Sequence, residues 1–430
     1  MKSKIKKIIY LLILLIITSL LILFFLNSKF DFQANKIKYK DQFQNKIFPL
    51  FISLPDKLKS TLMIYSGKRS FNNIFNDYNV KFLPETQYIR LNFVKKEIEI
   101  DIKNKRSGRK SFFLNIFNND IILVTKDGKF LKSELIYLSD SNKSLKPKIL
   151  NTSGLIGKDK HKINIYDTLV IDDKIYISAT FPKETCSKLE IFYAKLENDL
   201  SFKTFKKFDE CLTIGMSGGK MQKYVFNSQP GILITTGDSD NDRPGTNSQK
   251  DDSIYGKILF IDLNNKSYEI FSKGHRNAQG LAVKDDLIIS TEHGPRGGDE
   301  INIIKYKKNY GWPIASYGYP YERKDLNYKK SHEKYFFEEP IYVFLPSLGI
   351  SELIFLPDQF DPKWQNSILV TTLNDRSIHR VKFQNEKFDK ILYVEKIYIG
   401  ERIRDIKYLD DQKIILLSLE RTGSIGVLSK

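Results

Sequence analysis

The chain has 430 residues, more than one average domain but within the range of a single all-β barrel or propeller. Hydrophobic residues at 41% and aromatics at 13% are enough to fill a complete core, and the aromatic and β-branched usage leans towards strand. The net charge of +18 raises the question of a polyanion partner, yet the lysines are scattered among Asp and Asn with no long basic run beyond the N-terminal tail, which describes a solvated surface and argues against nucleic acid.

In chain order, Lys2, Lys4, Lys6 and Lys7 precede an uncharged apolar run from Ile8 to Leu26. A run of that length crosses a hydrocarbon core as a helix, and the preceding positive charge keeps the N-terminus in the cytoplasm. Residues 1–26 are therefore predicted to be a single-pass membrane anchor, with everything after Asn27 on the exported, periplasmic side. A cleaved signal peptide is the competing reading, but the apolar core is longer than usual and Leu26-Asn27-Ser28-Lys29-Phe30 offers no A-x-A-like site. Residues 27–80 read as a juxtamembrane stem, with a helix start at Ser53-Leu54-Pro55-Asp56 and Leu58, Leu62 and Tyr65 on one face before Gly67.

Beyond the stem, one unit recurs. A polar turn carrying Asp or Asn leads into an aliphatic run that most often ends in Ser or Thr. It appears as NNDIILVT from Asn118, IDDKIYISAT from Ile171 and SQPGILITTGD from Ser228, then as KDDLIIST from Lys284, WQNSILVTTL from Trp364 and LDDQKIILLSL from Leu409. Each run is too short for a buried helix and is bounded by turn signals, so it reads as a buried strand. Spacings of about fifty residues match propeller blades, and further short strands such as GKILFIDL and EINIIK lie between the copies. The fold class expected is all-β, a six-bladed β-propeller over residues 81–430 behind an N-terminal transmembrane helix. One interval, Leu287 to Ile368, is much longer and rich in Tyr, Gly and Pro; such an insert is expected over one end of the central channel.

Cys186 and Cys211 flank a predicted hairpin without any zinc spacing, leaving a disulfide or two buried thiols as the alternatives. Asp238-Ser239-Asp240-Asn241-Asp242 resembles the start of a calcium loop, but Arg243 and Gln249 stand where that loop needs Gly and Glu, so it reads as an acidic blade loop.

The sharpest local sequences are GHRNAQGLAV (Gly274 to Val283), TEHGPRGGDEINII (Thr291 to Ile304) and NYGWPIASYG (Asn309 to Gly318). Gly294-Pro295 makes a strand-end turn whose carbonyls suit a hard cation, with Asp299 and Glu300 adding negative charge close by. With PSLGIS (Pro346 to Ser351), LNDRSIHRVKF (Leu373 to Phe383) and RIRDI (Arg402 to Ile406), these stretches closely resemble the signature of the glucose/sorbosone dehydrogenase family, which includes soluble quinoprotein glucose and aldose sugar dehydrogenases. The resemblance covers roughly residues 90 to 430.

The resemblance implies pyrroloquinoline quinone and Ca²⁺ on one face of the propeller, a sugar or polyol substrate, and delivery of electrons to a membrane acceptor. Gly294 and Pro295 would give main-chain oxygens to the metal, and Asn277 would hydrogen-bond the quinone edge. Arg402 and Arg404 would pair with the cofactor's carboxylates, and Lys220 stands where the family has a cofactor-site Arg. At the position of the family's catalytic His the chain has Met216, whose thioether cannot accept a proton near neutral pH. Asn374 replaces a cofactor-contacting Lys of the glucose enzymes. Of the five histidines, His275 fits a structural role within GHRN, His293 is the remaining candidate base, and His332 lies in the long insert. Two functions follow: a membrane-anchored quinoprotein sugar dehydrogenase, or a lapsed propeller of the same descent that binds a glycan or protein without oxidising it.

Overall fold

The computed structural model describes the chain from residue 84 onward, apart from 85, 87, 104–107, 140–143, 156–162, 182–186, 213–216, 239–246 and 321–326. The expected anchor, the stem and the acidic loop after Asp238 lie outside the described residues. No helix among the described residues is long and apolar enough to cross a membrane.

Six four-stranded antiparallel sheets form the domain. Blade 1 runs outward from Phe112–Phe117 and blade 2 from Asn164–Ile171. Blade 3 starts at Gly218–Phe226, blade 4 at Ala278–Lys284 and blade 5 at Ile350–Leu356. Blade 6 holds Ile403–Leu409, Ile414–Leu419 and Ser424–Ser429. Its fourth, outermost strand comes from the other end of the domain: Asn92–Lys96 pairs antiparallel with Ser424–Ser429. The innermost strands neighbour one another in the order of blades 1 to 6 and back to 1, so the ring is closed. A pairing of early and late segments removes two free edges at once and locks the ring. The buried ion pair between Lys95 Nζ and Glu401 Oε1, at 2.6 Å, adds a second tie at that seam.

The recurring unit is the second strand of each blade: Asp120–Thr125, Lys174–Thr180, Gln229–Thr236, Leu287–Glu292, Ser367–Thr372 and Ile414–Leu419. Its polar turn is explained by backbone conformation. Asn118, Asp172, Asn227, Asp285 and Asn366 all adopt positive φ in the turns that precede these strands, a conformation Asn and Asp tolerate better than other non-glycine residues. Its Ser or Thr end is explained by what the hydroxyl touches. Ser178 Oγ donates to Gly219 O at 2.6 Å, Thr235 Oγ1 to Ala278 O at 3.0 Å, Thr291 Oγ1 to Ser351 O at 3.3 Å and Ser418 Oγ to Phe112 O at 2.7 Å. Each bond runs from one blade to the innermost strand of the next. At the blade 5 to blade 6 junction, Ser351 Oγ takes over and donates to Ile403 O at 2.7 Å.

Between successive blades lies an apolar core, six in all. The aliphatic runs supply both sides of each, for example Ile175 and Ile177 facing Phe113 and Phe130 between blades 1 and 2. A small parallel pair, Asp199–Ser201 with Asn151–Ser153, lies outside the six sheets and was not foreseen. Cys211, in the outermost strand of blade 2, is disulfide-bonded, and among the described residues no cysteine is free, which decides between the two readings of the cysteines.

The long interval is an insert within blade 4, between its third strand Asp299–Ile304 and its outermost strand Tyr342–Phe344. It packs against the loops of blades 3 and 4: Trp312 Nε1 donates to Asp238 O at 2.8 Å, and the Arg276 guanidinium lies 5.2 Å over the Trp312 ring. The two cis-proline bonds, Trp312-Pro313 and Leu345-Pro346, fall in this region.

The hydroxyl staples make a direct expectation. Ser418→Ala leaves the Phe112 carbonyl without its partner in a buried seam, and urea unfolding should show a loss of about 1–3 kcal/mol. Unchanged stability would mean that the staples follow blade packing and do not support it.

Candidate functional site

The innermost strands begin, and the second strands end, at the same face of the ring. Blade registers make this explicit: Phe112 pairs with Thr125, Asn164 with Thr180, Gly218 with Thr236, Ala278 with Glu292, Ile350 with Thr372 and Ile403 with Leu419. The residues just beyond the second strands are therefore equivalent positions around one channel mouth. They are Lys126, Phe181, Gly237, His293, Leu373 and Glu420.

A cavity of about 150 Å³ opens at this mouth, lined by Phe113, Lys126, Tyr166, Ser217, Gly218, Lys220, Gln279 and Arg404. Five of the six blades contribute to it. Backbone approach shapes its blade 3 side, where Gly237 N donates to Ser217 O at 2.7 Å. A β-carbon on Gly237 would collide with the Ser217 hydroxyl, so the SGGK and TGD segments require glycine there. The Ser217 hydroxyl is buried and has no hydrogen-bond partner among the described residues.

A hydrogen-bonded chain runs along the blade 4 and blade 6 walls. Gln279 Nε2 donates to Asn277 Oδ1 at 2.7 Å, and Arg404 Nη1 approaches Gln279 Oε1 at 3.4 Å. Gly218 N donates to the same Asn277 oxygen at 3.2 Å, tying blade 3 to blade 4. Arg402 Nε and Arg404 Nη2 bind the two oxygens of Glu420 at 2.7 and 2.8 Å, and Ser111 Oγ donates to Glu420 as well. Burial alone would raise the Glu420 carboxyl, but Arg404, Ser111 and Arg402 outweigh it and hold it well below the usual carboxylate range. Both arginines expected to meet carboxylates thus already share one, supplied by the protein.

Lys220 has a different environment. Its ammonium lies in the ring's interior, 2.8 Å from Asp167 Oδ1 of blade 2 and ion-paired with Glu352 of blade 5. Burial opposes its charge, but Asp167, Glu352 and Asp405 outweigh burial and raise it above the ordinary lysine range. Burial, against the pull of Lys220, pushes Glu352 up to about 7. Asp167 Oδ2 also accepts from Met221 N at 2.8 Å, and Asp405 Oδ2 from Leu114 N at 2.7 Å. Lys220 therefore touches the cavity, but its charge is matched by the carboxylates beneath it.

His293 is engaged at both ring nitrogens: Nε2 meets the Ile350 carbonyl, and Nδ1 lies 3.4 Å from Asn277 Nδ2. Burial lowers its basicity. This arrangement makes it a support for Asn277, with no nitrogen left to take a substrate proton. His275 is fully buried between Ser272 Oγ (2.8 Å) and Glu292 Oε2 (3.0 Å), as its structural reading requires. His332 is buried within the insert, its ring tilted against that of Tyr317 with centroids 5.3 Å apart.

Around Gly294, a β-carbon would strike the carbonyls of Gly297 and Gly298, so the GPRGG turn requires glycine at this position. The Gly294 oxygen accepts from Arg276 Nη1 at 3.1 Å, which leaves one lone pair for another partner. Asp299 is not free for a metal: its oxygens accept from Gly294 N, Ser347 Oγ, Leu348 N, Gly349 N and Ile350 N. Glu300, buried beside Glu292, points towards Asn302 and His332, and burial raises its carboxyl well above the ordinary range. Among the described residues no cluster of three His, Cys, Asp or Glu side chains is placed to hold a metal. Met216 and the residues after Asp238 up to 246 lie outside the described residues, and Asn374 is exposed with its N–H on Leu348 O.

Sequence reasoning passed over Lys126, Gln279 and Glu420. Gln279 sat inside a quoted motif. The other two follow the recurring strand, and its register, carried one residue further, nominates both.

The central charge cluster gives a clear expectation. Lys220→Met strands Asp167 and Glu352 without their cation and should cost about 3–5 kcal/mol in chemical unfolding. Adding Glu352→Gln should recover part of that loss; equal stability of all three proteins would show that the cluster is incidental.

The model of the glucose/sorbosone dehydrogenase family matches residues 170–427. Aldose sugar dehydrogenase YliI of Escherichia coli is 30% identical over 255 residues, 54% of this chain and 66% of that protein. Quinoprotein glucose dehydrogenase B of Acinetobacter calcoaceticus is 32% identical over 197 residues, 36% of this chain and 41% of the relative. The matched stretches thus span less than two thirds of each relative's length. A crystal structure of a glucose dehydrogenase superposes with a TM-score of 0.61 at 25% identity, over 74% of this chain and 96% of the other. With the closed six-bladed ring and the matched motifs around its channel mouth, the chain belongs to the glucose/sorbosone dehydrogenase family, alongside the quinoprotein aldose sugar dehydrogenases.

Proposed function

We propose that the propeller is held on the exported side of a membrane and binds a carboxylate-bearing quinone cofactor at its channel mouth, where it oxidises a sugar or related polyol and passes electrons to a membrane acceptor. The observation that carries this reading is the charge of the mouth. Arg402 and Arg404 share one carboxylate, Lys126 has no carboxylate within ion-pairing distance among the described residues, and Lys126, Lys220 and Arg404 line the cavity together with Tyr166, Ser217 and Gln279. A surplus of planar, permanently charged guanidinium groups suits a polycarboxylate such as pyrroloquinoline quinone.

The residues fit the cofactor's acidic end. Arg402 and Arg404 would hold its carboxylates, and Asn277, fixed by His293 and Gln279, would orient its edge. Gly294 and Pro295 would offer main-chain oxygens to Ca²⁺. Together the quinone and the cation would supply the hydride-accepting chemistry. The chain's own part is to orient the sugar and to receive its hydroxyl proton, and here a second reading gains support. Met216 holds no proton acceptor and His293 has both nitrogens engaged, which favours a propeller that binds its ligand without turning it over.

The full-length chain in detergent, given Ca²⁺ and pyrroloquinoline quinone, is expected to develop a bound-quinone absorbance spectrum. Sugar-dependent dye reduction would support the dehydrogenase; binding without turnover would support the second reading. If only the proton acceptor is missing, Met216→His should raise turnover by about 10²–10⁴-fold. No quinone binding at all would overturn the cofactor assignment for both.

The anchor rests on the charge-free run from Ile8 to Leu26 and its lysine-rich approach, and the disulfide at Cys211 accords with an oxidising compartment. On cell fractionation the chain should stay with membranes through a carbonate wash and be open to protease from the exported side. Recovery in the soluble fraction would rule the anchor out.

A further inference from the structure

Lys126 has no assigned role, yet it stands at the channel-mouth position equivalent to His293 and Glu420. It is part-buried and lines the cavity together with Gln279, Arg404 and Lys220. The charged groups that act on it are Arg404, Glu420, Arg109 and Lys220. Three of these four are cationic. The one carboxylate, Glu420, is taken up by Ser111, Arg402 and Arg404, and the carboxylates under Lys220 face Lys220 itself.

An ammonium in such a place is costly. Burial, then Arg404, pushes Lys126 down to about 7, while Glu420 offsets only part of that. A surface lysine would turn its head to bulk water, and a wall residue without a ligand could be apolar at no electrostatic cost. The same walls that disfavour a lone ammonium would favour it once an anion entered, since a charge-assisted pair in a part-buried cavity is stronger than one in water.

We propose that the Lys126 ammonium is a carboxylate-binding site of the channel mouth, completed by an anionic group of the bound ligand. The proposal rests on the reading of this mouth as the ligand-binding end. The carboxylate has two possible sources with the same chemistry: the quinone cofactor, or an acidic sugar such as a uronic acid. A neutral aldose would leave Lys126 unpaired.

The test is calorimetric titration of the full-length chain in detergent at pH 8, in two buffers of different ionisation enthalpy, with pyrroloquinoline quinone, glucuronate and glucose as separate probes. At that pH the free amine is mostly neutral, so binding of a carboxylate should take up close to one proton per site. Lys126→Met should abolish that uptake and weaken the carboxylate probe by about tenfold to a hundredfold, leaving glucose unaffected. Lys126→Arg should keep the affinity and lose the uptake, which separates loss of charge from a folding defect. An effect confined to the quinone assigns the site to the cofactor, and one confined to glucuronate assigns it to an acidic sugar. Unchanged affinity and proton uptake in Lys126→Met would overturn the inference while the quinone reading stands. Glucuronate binding through Lys126 without quinone binding would do the reverse, and a wild-type chain that binds neither probe would sink both.

Discussion

The ring depends on one buried cation. The Lys220 ammonium joins blade 3 to Asp167 of blade 2 and reaches past blade 4 to Glu352 of blade 5, with Asp405 of blade 6 close enough to act on it. Apolar packing between blades can hold neighbours together, but it cannot reach across a channel. The carboxylates also serve the ring directly, since Asp167 and Asp405 accept main-chain N–H groups from the next blade. A propeller whose axis is filled by charges must balance them, because an unmatched buried charge costs more than any single apolar contact returns. Burial displaces the Glu352 carboxyl upward against the pull of Lys220, and the neighbouring Asp405 and Asp167 carboxylates add to that displacement.

This interior also determines what the mouth above it can do. With Lys220 committed downward, its charge contributes little to a ligand, although it lies in the cavity wall. The positive charge on offer comes from Arg402, Arg404 and Lys126. These belong to blades 6 and 1, on either side of the seam where the first and last blades of the ring meet. Asn277, His293 and the Gly294 turn come from blade 4 on the far side of the channel. The mouth thus sets Arg402, Arg404 and Lys126 on one side against the Asn277 amide and the Gly294 carbonyl on the other, where the Arg276 guanidinium is tied to the His293 and Gly294 carbonyls.

The fold was legible because each mark of the recurring unit has a local cause. The Asn or Asp of the turn satisfies a positive φ, and the terminal Ser or Thr satisfies the staple to the next blade, so both recur at blade spacing. Lys126 and Glu420 were not legible in the same way. In a chain with 69 basic and 51 acidic residues, a lysine after a strand resembles any solvated lysine, and only closure of the ring brings it beside Arg404. The insert was recognisable by length, but its destination was not. It is seated by Trp312 on Asp238 and Arg276, and its described residues buttress the mouth without entering the cavity.

The motifs that mark the family mostly hold the protein together. Glu292 receives the main-chain N–H groups of Arg276 and Asn277 and fixes His275, which accounts for the tie between TEHG and GHRN. Asp299 gathers three successive N–H groups of the PSLGIS loop. In LNDRSIHRVKF, Asp375 meets His379 at 2.9 Å, and the buried Arg380 pairs with Glu395 at 2.6 Å. Such residues resist change because each removal leaves a buried polar group unmatched. A proton acceptor at the mouth is under no comparable structural constraint. The segment that follows Met216 is held by backbone contacts, Gly237 N on Ser217 O and Gly218 N on Asn277, and these depend on no side chain at position 216. Architecture and catalytic competence are therefore separable in this fold: the residues that tie blades and loops together can persist while the chemistry at the mouth changes.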